Sequence, residues 1–261
     1  MVEIAGWPKL VLNYPTEPDS IAALLPPGLT PWGEPTVQIG VYCVPVHGEP
    51  EFGVSTKIPA TWNGVNGQYS LGIGIDQESA IFVSRETNGQ PKFPCSVRFF
   101  RLGDRVEASA THQGRTFLTF TGTSTGTSEP SGQEVTDHEW WIKVSRAVGG
   151  VEFAYDFAPH VVDVRTAGIA TNIETLDGDL QLHPSPWDPY TELLPMVGPA
   201  TAALVTTRHT GRAISLSGPL DPDSFWPFAD TIGGSRWPGE RGAPRAVRAV
   251  AQPGRPNTAG R

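Results

Sequence analysis

The sequence predicts one α+β domain, mostly β, over residues 1–232, followed by a Gly/Pro/Arg-rich tail over residues 233–261. Three observations lead to this reading. The 261 residues include 29 glycines and 26 prolines, a content that favours many short strands joined by turns over long helices. From Pro35 onward apolar residues recur with period two, Val37, Ile39 and Val41 alternating with Gln38 and Gly40. Residues 233–261 carry six arginines, one acid (Glu240) and almost no large apolar side chains, so a disordered tail is expected there. The 38% hydrophobic content leaves enough apolar surface for a full core in the remainder.

Along the chain, Thr16–Leu25 reads as a short helix with Thr16 as its N-cap and acids in its first turn, stopped by Pro26-Pro27-Gly28. Strand patterning then runs through Val37–Val41 and Tyr69–Ile75. Glu78–Arg85 fits either a helical turn or a strand. Ser96–Arg101, Arg105–His112 and Arg115–Thr121 form a meander, turning at Leu102-Gly103-Asp104 and Gln113-Gly114. Glu139–Val144, Val151–Phe157, His160–Ile169 and Asn172–Gln181 continue as strands, and a second helix is expected at Ala200–Val205.

Charge and composition exclude several function classes. The formal net charge is −8, and the basic tail conceals a body of about −13, which speaks against nucleic-acid binding. The opening Met1–Trp7 lacks the basic and apolar regions of a secretion signal, and no apolar run approaches membrane-spanning length. Cys43 and Cys95 form neither a disulfide nor a metal pattern, so a reduced, cytoplasmic location is expected. The six histidines have no metal-ligand spacing, Gly72-Ile-Gly74 lacks the rest of a dinucleotide fingerprint, and no Gly-x-Ser-x-Gly elbow occurs. No metal or cofactor is expected.

One residue stands out chemically. Lysine occurs four times (Lys9, Lys57, Lys92, Lys143) against fifteen arginines, and Lys92 lies between a Gly-Gln-Pro turn and Phe93-Pro94. A lysine pressed into apolar surroundings loses hydration of its ammonium, its pKa falls, and the neutral amine becomes a nucleophile toward carbonyl carbon. The competing reading is a solvated lysine at a turn. Lys143, beside Trp140 and Trp141, is expected to be a strand-edge charge paired to a carboxylate.

Trp62-Asn-Gly-Val-Asn-Gly-Gln-Tyr69, Asp76-Gln-Glu78-Ser-Ala-Ile-Phe-Val-Ser-Arg85-Glu86 and Gly89-Gln-Pro-Lys92 together resemble the acetoacetate decarboxylase family. The match is strong over about residues 59–94 and softer over about 10–230, where Leu24–Pro31, Trp140–Lys143 and Ser185–Pro189 carry it. The resemblance implies a double β-cone around a central cavity, a homo-oligomer, and a lysine that forms a Schiff base with a small carbonyl or keto-acid substrate. That lysine corresponds to Lys92, whose activated amine is the nucleophile the resemblance implies.

The departures narrow the expectation. Phe93 stands where the decarboxylase has a second lysine, which removes a neighbouring cation while keeping desolvation. The family's arginine falls at Trp7 and its two glutamates at Gly40 and Gly53, with Glu49 and Glu51 close enough to Gly53 to restore one carboxylate by a small register change. No arginine precedes Arg85, so a substrate carboxylate lacks its expected cation. Aldolase-dehydratase or other iminium/enamine chemistry is therefore favoured over simple acetoacetate decarboxylation. Lys92 and Glu78 are the candidate catalytic residues. Gln90, Phe93, Trp62, Tyr69 and Glu51 are the candidate substrate contacts, with Glu51 also the second choice for proton transfer. Core packing is the competing role for Trp62 and Tyr69, turn capping for Gln90, and fold support for Arg85-Glu86. The alternative function is a non-covalent protein that binds or cyclises an apolar intermediate, with Trp7, Gly40 and Gly53 opening a larger apolar space.

Overall fold

A computed structural model of the chain describes residues 7–46, 48–229 and Trp237. Eleven strands form one sheet: β1 (Pro8–Pro15), β2 (Thr36–Val46), β3 (Glu49–Trp62), β4 (Val65–Ile75), β5 (Lys92–Pro94), β6 (Ser96–Leu102), β7 (Arg105–His112), β8 (Arg115–Ser128), β9 (Glu134–Arg146), β10 (Tyr155–Leu182) and β11 (Thr201–Pro219). The helices are short: α1 (Pro18–Leu24), α2 (Glu78–Asn88), α3 (Tyr190–Leu193) and α4 (Pro222–Phe225), the last leading into a 3₁₀ turn at Trp226–Phe228. No helix among the described residues is long and apolar enough to cross a membrane.

Two pairings close part of the sheet on itself. The path β11-β1-β2-β3-β4-β9-β10 returns to its start because β10 also pairs with β11, giving a ring of seven strands. From β10 the sheet continues outward through β8, β7 and β6 as the expected meander. β10 serves both parts. Its 28 residues pair with β9, β11 and β8 in overlapping stretches, and register shifts between Val161 and Val162, Ala167 and Gly168, and Ala170 and Asn172 let it bend from one to the next.

Period-two patterning places the core. Leu10, Leu12 and Tyr14 of β1 pack with Val37, Ile39 and Val41 of β2, Val54, Ile58 and Ala60 of β3, and Phe117, Leu118 and Phe120 of β8. The alternate residues of the same ring strands point to its other face, which carries the charges considered below. Trp62 and Tyr69 belong to this core, and the Trp62 indole donates to Ser217 Oγ at 3.0 Å. The packing role, not a substrate contact, is the one they fill.

Three expectations are corrected. Ala200–Val205 is not a helix: from Thr201 it is the start of β11, where β-branched Val205 and Thr206 pair with both β1 and β10 and Thr201 pairs with β1. The strands expected at His160–Ile169 and Asn172–Gln181 are one continuous strand, β10. Thr16 does not cap α1; Glu17 holds that position without a side-chain bond, while Thr16 is buried with its backbone N–H donating to Pro35 O at 2.9 Å. Glu78–Arg85 resolves as helix. It ends at Gly89, whose φ of +65° suits glycine, and a Cβ there would lie 2.4 Å from Lys143 Cα. The expected tail, residues 233–261, lies outside the described residues except for Trp237, which is buried and donates its indole N–H to Trp187 O at 3.1 Å.

Candidate active site

Lys92 begins β5, which runs parallel to β4 after the α2 crossover, with Ile73 opposite Lys92. Its backbone is pinned on both sides. The Lys92 N–H donates to Gln90 O at 2.7 Å, and Arg85 Nη1 of α2 donates to Lys92 O at 2.9 Å. Gln90 thus acts through its carbonyl at the turn, and Arg85 supports the fold as expected. Alternation along β5 sends Lys92 and Phe93 to opposite faces. Phe93 is buried in the core, its ring 4.7 Å from that of His112, so it is a packing residue and not a substrate contact. His112 Nδ1 pairs with Asp188 at 2.9 Å, both fully withdrawn from solvent.

On its own face Lys92 is only 8% exposed, and its Nζ stands 3.4 Å from Glu51 Oε2 of β3. Burial is the main cause that pulls the Lys92 pKa below the ordinary lysine value. The Glu51 carboxylate works against that shift by attraction and hydrogen bonding, and the Arg212 guanidinium of β11 adds to it by like-charge repulsion; desolvation prevails. Glu78 is exposed in the first turn of α2 and is not brought to this pair. The proton-transfer candidate that the fold does bring there is Glu51.

The two glycines standing in for the family's glutamates are not empty space. A Cβ on Gly53 would lie 2.2 Å from Tyr42 Cζ and 2.4 Å from its hydroxyl oxygen, so the phenol end lies directly over the β3 backbone. A Cβ on Gly40 would lie 2.0 Å from Lys9 Cε and 2.6 Å from its Nζ. The expectation of an enlarged apolar space is therefore corrected: a phenol and an amine fill those positions. Burial, with Lys57 adding repulsion, draws the Lys9 pKa down to about 8. Burial and then the Glu51 carboxylate push the Tyr42 phenol well above its usual value, so it stays protonated.

Further along the same face Lys57 of β3 pairs with Glu139 of β9 across β4, and the Trp141 indole donates to Glu139 at 2.6 Å. Burial pushes the Glu139 carboxyl up, but Lys57, the Trp141 indole and Lys9 together hold it below its usual range. Arg212 of β11 reaches over the Trp141 ring at 6.0 Å across β10. Side chains that meet across an intervening strand must converge on the concave side of the sheet, so this face is the interior of the ring. Three of the four lysines lie on it. Lys143, the fourth, donates to Glu86 O and sits 5.5 Å from the Phe157 ring centroid; the expected carboxylate pairing is replaced by a backbone carbonyl.

Lys9, Tyr42, Lys57 and Arg212 were not singled out in the sequence. The scarcity of lysine was the usable signal for Lys9 and Lys57; Arg212, on a strand far from Lys92 in the chain, had none. Trp7, aligned with the family's arginine, is exposed just before β1, and the cation that β1 contributes is Lys9. Among the described residues no group of three or more His, Cys, Asp or Glu side chains could hold a metal ion.

A β ring with a buried, low-pKa lysine inside it defines the class of protein. The chain belongs to the acetoacetate decarboxylase family, whose model matches residues 3–217. Solved structures similar to it include acetoacetate decarboxylase from Legionella pneumophila, 16% identical, covering 83% of this chain and 87% of that one with a TM-score of 0.71. An acetoacetate decarboxylase-like enzyme from Sphingomonas wittichii RW1 is 15% identical over 82% and 92%, TM-score 0.64. The enduracididine biosynthesis enzyme MppR, solved with the condensation product of pyruvate and imidazole 4-carboxaldehyde, is 15% identical over 80% and 87%, TM-score 0.62. No curated protein matches the chain.

Proposed function

We propose that this protein is a carbon–carbon lyase that forms a Schiff base between Lys92 and a small carbonyl or keto-acid substrate and runs condensation-dehydration or related enamine chemistry. The observation that carries this reading is the buried Lys92 amine, lowered in pKa, at 3.4 Å from the buried Glu51 carboxylate. The pair holds one exchangeable proton. For the attack, the Lys92 ammonium passes its proton to Glu51, which carries it to the oxygen that leaves. As the nitrogen adds to the carbonyl carbon, the C=O electrons move to oxygen. One proton from the nitrogen and the one from Glu51 go to that oxygen, which leaves as water. What remains is an iminium over a carboxylate, with atoms and charge balanced.

That product state favours enamine chemistry. The carboxylate beside the iminium is placed to remove an α-proton, which a condensation requires and a decarboxylation does not. The exposed Arg212 side chain, whose charge acts on the Lys92 amine, supplies a cation that a substrate carboxylate can use, so a keto acid is a fitting donor. The fold relative MppR, with a bound pyruvate condensation product, agrees with this class of chemistry.

The test is borohydride reduction in the presence of pyruvate or acetoacetate, read by intact mass and peptide mapping. A reduced adduct on Lys92, absent from Lys92→Ala, is the expected result. No adduct with either compound overturns the reading, and carbon dioxide release from acetoacetate without aldehyde consumption moves the activity to simple decarboxylation.

A further inference from the structure

Inside the ring, Tyr42 is the polar group next to the Lys92–Glu51 pair that the chemistry above does not yet use. Its ring crosses over Gly53, its own cross-strand partner on β3. Gly53 pairs with Ile75 of β4, and the same β4 stretch carries Ile73, the partner of Lys92. The phenol therefore extends from β2 toward the strand that holds Lys92, with only a glycine beneath it. Glu51 lies on the same face of β3, two residues from Gly53, and its charge acts on the phenol more strongly than those of Glu139 and Arg212. The Tyr42 hydroxyl makes no hydrogen bond among the described residues. A phenol held over bare backbone, beside the Glu51 carboxylate and without an acceptor among the described residues, has its donor available for a substrate oxygen.

We infer that Tyr42 is a further catalytic residue, donating to the substrate carbonyl oxygen at Lys92 and relaying the Glu51 proton to it. The inference rests on the Schiff-base reading. In the addition step the Tyr42 O–H stabilises the oxygen as negative charge develops on it. In the dehydration step the phenol gives its proton to the departing oxygen and takes the one Glu51 holds. The C–O bond breaks, the nitrogen lone pair forms the C=N bond, and water leaves. Tyr42 ends as it began, a neutral phenol, and Glu51 ends as the carboxylate. Its resistance to ionisation suits this role, since a phenolate beside Glu51 would not donate at all.

The experiment compares the wild type with Tyr42→Phe, which keeps the ring over Gly53 and removes only the hydroxyl. Adduct formation on Lys92 with pyruvate is followed by cyanoborohydride trapping and intact mass over time, with circular dichroism and melting to check the fold. The expected result is an adduct of the same final mass and site, formed about a hundredfold more slowly, with the pyruvate concentration for half-maximal rate changed by less than about threefold. An unchanged rate in a folded Tyr42→Phe protein overturns the role of Tyr42 and leaves the Schiff base standing. Absence of any adduct in the wild type overturns both. Gly53→Ala, which forces the ring from its seat, is expected to slow the same step, and a wild-type rate there also counts against the assignment.

Discussion

Glu51 Oε2 lies 3.4 Å from Lys92 Nζ, and the two side chains keep only 5% and 10% of their surface exposed. The contact joins β3 to β5 across β4, so the amine and its proton partner are set by strand pairing and not by neighbouring residues in the chain. Their effects on the amine are opposed: burial lowers its pKa, and the carboxylate raises it. The first prediction separates them.

Glu51→Gln removes the anion and leaves burial and Arg212, both of which lower the Lys92 pKa. The amine is then neutral over a wider range, so the rise of adduct trapping with pH moves to lower pH than in the wild type. Turnover falls by about a hundredfold or more, because the proton carrier is gone. The pH profiles of trapping and of turnover, measured side by side, check this. A trapping profile that stays put or moves upward contradicts it.

Arg212→Gln works in the opposite direction on the amine. Removing a like charge raises the Lys92 pKa, so the trapping profile shifts to higher pH. The same change removes a cation whose charge reaches Lys92. The pyruvate concentration for half-maximal adduct formation is expected to rise about tenfold, while that for acetone stays the same. Equal effects on the acid and the neutral ketone would show that Arg212 does not meet the carboxylate.

Lys9 governs a stability slope. Its pKa is about 8 in the folded chain and 10.5 for an ordinary lysine, so between these values the unfolded chain binds a proton the folded one does not. Stability therefore rises with pH over that window, and below it the full penalty of the buried charge is present. Lys9→Met should flatten the slope to the part that Lys92 contributes and add ~1–2 kcal/mol at pH 7, the shift being discounted for partial solvent access. Urea unfolding at pH 7 and pH 10 measures both. A wild-type protein no more stable at the higher pH, with the variant unchanged, contradicts the account.

Gly74→Ala tests the seat of β5. A Cβ there would lie 2.6 Å from Cys95 Cβ and 2.9 Å from Phe93 Cζ, both inside the packed core. Neither atom is the free end of a flexible chain, so β5 must shift, at a cost of about 1–3 kcal/mol. Since Lys92 starts β5, the adduct rate should fall together with the melting temperature. A destabilised protein with wild-type adduct kinetics would show that β5 tolerates the shift without moving the amine.

The local features were legible in the sequence. Lys92 stood out by its scarcity, its neighbours and its motif, and the turns of the β6–β8 meander announced themselves through Gly103 and Gly114. Glu51 was half legible, as a carboxylate near the right register. What failed was set by distant pairing. Ala202, Ala203 and Leu204 have helical propensity, yet β1 and β10 hold them in a strand from both sides. Glu78 has the charge for acid–base work but lies on the exposed start of α2. Gly40 and Gly53 were read as missing side chains, because a single sequence does not say which neighbour leans over a glycine. Lys9 and Tyr42 do, and both come from strands whose register only the folded sheet defines.

The seating of Tyr42 over Gly53 also constrains how this chain can change. The atoms above Gly53 belong to a rigid ring, which cannot bend aside as the end of a lysine can. A carboxylate introduced at position 53 is incompatible with a tyrosine at 42, and a small residue at 42 leaves a hole over a glycine at 53. Each single replacement is worse than either pair. The two positions therefore form one epistatic unit, and moving between a phenol and a carboxylate at this point in the ring takes two coordinated substitutions, with a fitness valley between them.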